Sequence, residues 1–150
     1  MRALLALGLV LLVAGCTASG ASTGNFELTP TRVGWYAGDE ARFHLNLTPS
    51  LLHKSPEFTV DRRFALEEVN FDERGARFGG DHATRDPDSI NLRLERDGEA
   101  REEWTLDKAN PGVDVVLTLP PTLKDSEYAL ELKVFEVGWV KSEPFRVDRR

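Results

Sequence analysis

The chain has a single cysteine in 150 residues, Cys16. No disulfide can form within it, so the fold must stand on its hydrophobic core. A lone cysteine leaves four roles: nucleophile, metal ligand, spare thiol or attachment point. Long apolar runs are also missing. The longest, Ala3 to Ala14, falls short of the roughly 20 residues that a membrane-spanning helix needs. Basic residues are the minority, 19 Lys and Arg against 25 Asp and Glu. Such a chain lacks the basic face that nucleic acid requires, which excludes that class of partner. Histidine is scarce, and His44, His53 and His82 form no metal-spacing pair. Neither a G-x-S-x-G motif nor a Gly-rich phosphate loop occurs. The paired carboxylates Glu67-Glu68, Asp72-Glu73 and Glu102-Glu103 are sequence neighbours, which point to opposite faces of a strand and make no acid–base pair. The expectation is a protein without cofactor, metal or catalytic residues, and not an enzyme.

What is present begins at the N-terminus. Arg2 is the only charge before Cys16, and a short apolar run ending in small residues follows it. These are the parts of a secretory signal peptide. Val13-Ala14-Gly15-Cys16 resembles the bacterial lipobox, an aliphatic residue and two small residues before cysteine. The resemblance implies that residues 1–15 are cleaved and that the Cys16 sulfur carries diacylglycerol. It also implies that the new amine takes a further fatty acid such as palmitate. Each buried methylene contributes ~0.8 kcal/mol, and two or more chains make anchoring stable. Residues 16–24 then read as the lipidated cysteine and a tether, since Thr17 to Gly24 has no charge and no large side chain. The predicted location is the cell envelope, on the outer face of a bacterial membrane. In a two-membrane host, the absence of Asp at position 17 resembles lipoproteins sorted to the outer membrane. Loss of Arg2 leaves 18 Lys and Arg against 25 Asp and Glu, a net charge of −7. Lipid rather than charge must therefore hold the protein at an anionic surface.

Residues 25–150 make one domain's length, and their period is two. In "EARFHLNLT", Ala41, Phe43, Leu45 and Leu47 share one face. The same alternation places Ile90, Leu92 and Leu94 inward, then Val113, Val115, Leu117 and Leu119, then Tyr128, Leu130, Leu132 and Val134. "NFELTPTRV" and "PFRVD" read as weaker strands. Asp97-Gly98 predicts a hairpin turn, and Asn110-Pro111-Gly112 and Pro120-Pro121 mark further turns. Residues 62–75 break phase: Phe64 and Leu66 alternate one way, Val69 and Phe71 the other. A bulge near Glu67-Glu68 explains this in a strand, and a short helical turn is the alternative. The strand is favoured because its neighbours are strands. Residues 75–89 read as a long Gly-, Asp- and Pro-rich loop. The whole predicts an all-β antiparallel sandwich of seven to nine strands.

Residues 119–147 resemble the last strands of a fibronectin type III or related immunoglobulin-like domain. Leu123 and Tyr128 occupy the places of that family's corner leucine and tyrosine. The resemblance implies a Tyr128 hydroxyl bonded back to nearby backbone; a plain inward aromatic at a strand start is the other reading. It also implies a domain that binds or spaces other proteins.

Trp35 and Trp139 each follow Val-Gly at a turn. Such residues either seal the sandwich core or mark a contact surface. The immunoglobulin-like topology puts Trp139 beside the loop "TPSLLHKSPE", so Leu51, Leu52, His53 and Trp139 form the candidate partner-binding end. Three functions follow. The first is an envelope lipoprotein that binds another protein or an envelope component. The second is a protease inhibitor acting through Leu51 and Leu52. The third is a small metal-dependent hydrolase using Asp81, His82, Asp86 and Asp88, although Asp as a turn former is the simpler account of that loop.

Overall fold

The computed structural model describes residues 26–47, 57–61, 66–74, 86–134 and 137–150. Twelve strands lie in these segments: β1 (Phe26–Pro30), β2 (Gly34–Tyr36), β3 (Glu40–Leu47), β4 (Glu57–Asp61), β5 (Leu66–Arg74), β6 (Arg93–Arg96), β7 (Glu99–Arg101), β8 (Glu103–Asp107), β9 (Gly112–Thr118), β10 (Ser126–Val134), β11 (Gly138–Lys141) and β12 (Phe145–Asp148). The number exceeds the expected seven to nine because several strands are interrupted. β1 and β2 are separated by three residues, as are β11 and β12. "EAREEWTL" likewise divides into β7 and β8, which pair with different partners.

One sheet has the order β1-β3-β9-β6-β7 and is antiparallel throughout. In the other, β10 pairs with β5 along nearly its whole length and with β11 then β12. β2 adds to β12 in parallel. A two-stranded ribbon, β4 with β8, completes the fold. The alternating residues pack between the sheets as a sandwich. Phe43 of β3, Phe145 of β12 and Trp35 of β2 meet with ring centroids 5.2 to 5.4 Å apart. Leu45, Leu92, Leu94, Leu117, Leu130 and Leu132 are almost wholly buried around them. Each such side chain contributes roughly 1.5–3 kcal/mol by leaving water. The ribbon adds Val60, Trp104 and Leu106 to the same core. Arg96 holds it there: its guanidinium lies 5.0 Å from the Trp104 ring and donates to the carbonyls of Gly112, Thr105 and Asn110.

Three local expectations are met in atomic detail. Asp97 and Gly98 both have positive φ, 53° and 78°, which a two-residue hairpin between β6 and β7 demands. β5 carries its bulge where the phase breaks: Lys133 faces Glu68 and Val134 faces Leu66, leaving Glu67 as the extra residue. Leu66, Val69 and Phe71 are all buried as a result. The Tyr128 hydroxyl accepts from the Lys124 N–H and donates to the Lys124 carbonyl, both at 3.1 Å, which is a tyrosine corner. Ile90 is a correction: it is buried, but in a 3₁₀ turn, Pro87–Ile90, rather than in a strand.

Register fixes the two ends of the sandwich. β1 begins opposite the end of β3, with Phe26 facing Leu47. A parallel bridge between Leu28 and Ser142 ties β1 to the other sheet. Phe26 is therefore level with Val140 near the β10–β11 turn. The other end carries the Ala37–Asp39 turn and the last residues of β12, where Asp148 faces Tyr36. Gly34 permits that parallel pairing, since a Cβ there would stand 2.9 Å from the Arg146 carbonyl oxygen.

Candidate interaction site

Strand alternation decides the fate of the two tryptophans. Trp35 points inward and is sealed by Phe43 and Phe145. Trp139, the second residue of β11, points outward and is 48% exposed. Gly138 before it has φ of 95°, the left-handed turn that closes the hairpin with β10. Cross-strand from Trp139 is Lys133. Lys133 pairs with Glu67 at 3.4 Å and Glu68 at 3.1 Å, and Lys141 pairs with Asp72 and with Glu131. A hydrogen bond to Glu68 raises the Lys133 ammonium above its ordinary range. Burial pulls the Lys141 ammonium down, but Asp72 and Glu131 outweigh it and raise the group overall. Among the described residues, the sheet face around Trp139 is thus neutralised charge with one large exposed apolar side chain at its rim. Besides Trp139, the large exposed apolar side chains among the described residues are Val33 and Tyr36.

The other residues of the predicted partner-binding end, Leu51, Leu52 and His53, lie outside the described residues, as does Cys16. Asp81 and His82 lie outside them too. Asp86 is placed, and it forms a turn: its carboxylate accepts from the Asp88 N–H at 2.9 Å and starts the 3₁₀ turn. No group of three metal-ligating side chains occurs among the described residues.

The outward face of β3, β9 and β6 carries a network that alternation alone did not reveal. Glu95, 7% exposed at its side chain, accepts from Arg42 at 2.6 Å and from Arg93 at 2.5 Å. Arg93 also reaches Glu40, and Arg42 reaches Asp114, both at 2.9 Å. His44 Nδ1 lies 3.0 Å from the second Asp114 oxygen. Burial pushes the Glu95 carboxyl up; hydrogen bonds from Arg93 and Arg42 overcome this and hold it below the usual carboxylate range. The Arg93 hydrogen bond does the same for Glu40. Val116 is flanked in register by Arg42 and Arg93 and is fully buried on this outer face. The arginine stems cover it while their heads stay with the carboxylates. Every charge in the row has an opposite neighbour, so the network braces the sheet.

No family model matches this chain, and no curated protein sequence does. Among solved structures it is similar to a family 123 glycoside hydrolase from Clostridium perfringens, studied for glycolipid glycan hydrolysis. The likeness covers 77% of this chain at 12% identity with a TM-score of 0.36. It takes in 22% of that enzyme, so the chain spans about a fifth of its length.

Proposed function

We propose that the protein is a cell-envelope lipoprotein, anchored through Cys16, whose immunoglobulin-like sandwich binds another protein or an envelope component without catalysing a reaction. The observation that carries the anchor is Val13-Ala14-Gly15-Cys16, set between an apolar run and an uncharged small-residue tether. Strand order supports the immunoglobulin-like reading. Lettered in chain order, β1, β3, β5, β6, β9, β10 and the β11–β12 pair stand for strands A to G. Apart from β7 at the edge of one sheet and β2 at the edge of the other, the sheets then read A-B-E-D and C-F-G, the constant-type order. The Tyr128 corner supports it as well. A binding role is favoured by the exposed Trp139 and by charges that are neutralised within the fold.

Metabolic labelling with an alkyne fatty acid tests the anchor. The wild type takes the label and fractionates with membranes, and Cys16→Ala does neither. Labelling that persists in Cys16→Ala, or never occurs in the wild type, rules the reading out.

A further inference from the structure

We infer that the end of the sandwich bearing Trp139 rests on the bilayer to which the protein is anchored, with the indole seated at the lipid–water interface. The inference rests on the lipoprotein reading and names the partner of its candidate site. Three observations lead to it.

The first is where the chain enters the fold. Leu28 and Ser142 are bridged in parallel, and β1 and β11 run side by side. Phe26 is consequently level with Val140, one residue from Trp139. Phe26, the first described residue, thus lies at the same end of the sandwich as the exposed indole.

The second is length. Ten residues, Cys16 to Asn25, lie between the lipid attachment and Phe26. Fully extended they span at most ~35 Å. A chain of this small, uncharged composition has a root-mean-square end-to-end distance of about 17 Å. The entry point is therefore held close to the headgroups. A contact too weak to bind from solution becomes intramolecular, at an effective concentration in the millimolar range for a short linker.

The third is chemistry. Tryptophan is the side chain best suited to the boundary between hydrocarbon and water, with an apolar ring and one polar N–H. Trp139 is 48% exposed on a strand, whereas Trp35 and Trp104 are buried at 7% and 5%. The neighbouring lysines are already paired with carboxylates, so attraction to anionic headgroups is not the driving force. An apolar contact of this kind does not depend on salt.

The test uses the full-length lipidated protein, purified from membranes and reconstituted into phosphatidylcholine vesicles with and without brominated acyl chains. Tryptophan emission should shift to the blue on reconstitution, and brominated lipid should quench it. Both effects should persist at high salt and vanish in Trp139→Phe, whose exposed position keeps the fold, as circular dichroism would verify. Doubling the tether should lower the bound-to-free ratio of this end about threefold, following the −3/2 power of length. Mass spectrometry of the same preparation separates the two readings. Lipid on Cys16 with Trp139 unquenched overturns this inference alone. Absence of lipid on Cys16 overturns both. Equal quenching in Trp139→Phe, or protection of Trp139 only when a second envelope protein is added, also overturns it.

Discussion

At the residue scale, Glu95 and Tyr128 show how polar groups are stabilised in a fold without disulfides. Glu95 is buried and ionised because two guanidiniums reach it. Its folded pKa is held below the ordinary value of 4.5. For a carboxyl lowered in this way, the stabilisation is complete above the unfolded value and fades as pH falls through the folded one. Glu95→Gln should therefore cost about 1–2 kcal/mol at neutral pH, modest because the arginines are partly solvated. It should also flatten the loss of stability below about pH 4. Urea denaturation of both proteins across that range measures the effect; parallel curves would show that Glu95 is not the group responsible. Tyr128→Phe removes two hydrogen bonds to Lys124 from a buried ring and should cost about 1–2 kcal/mol. A lower urea midpoint at unchanged slope is the expected signature.

At the element scale, the β5 bulge makes an unusual deletion tolerable. Glu67 is the extra residue, and Leu66 already faces Val134 while Glu68 faces Lys133. Deleting Glu67 should give a regular ladder with Leu66, Val69 and Phe71 still buried, at the loss of one ion pair and less than about 1 kcal/mol. Deleting Asn70 shifts the strand by one and turns buried apolar residues outward, which should abolish cooperative unfolding. Calorimetry on the two deletions separates them. The bulge was legible because alternation is a local signal, and Leu66, Val69 and Phe71 carry it within six residues. The same holds for β3, β9 and β10 and for the Asp97-Gly98 turn. The Glu95 network was not legible: Arg42 lies 53 residues from Glu95 and 72 from Asp114, and nothing in either strand announces its partner. β4 was hidden for a related reason. It pairs with β8 in a separate ribbon, and "EFTVD" is too short for periodicity to register. Of the candidate site, Trp139 was legible as one of two turn tryptophans, but only the register shows which of them faces outward.

At the scale of the whole molecule, one core and no internal disulfide define the stability problem. Val60 and Trp104 of the ribbon join Phe43 and Phe145 of the two sheets in that core. Unfolding should therefore be one cooperative transition whose midpoint is unchanged by reducing agents, since Cys16 has no intrachain partner. Calorimetry with and without reductant tests this; a shift would mean that Cys16 keeps a free thiol that pairs between copies, which would also contradict the lipid anchor. The parallel addition of β2 to β12 has a mechanical consequence. Tension applied through the chain upstream of Phe26, against a load held at the far end, runs along the strands rather than across them. The β1–β3 and β2–β12 hydrogen bonds are then sheared together, not unzipped singly. Under such a load the two strand pairs share the force instead of yielding one hydrogen bond at a time.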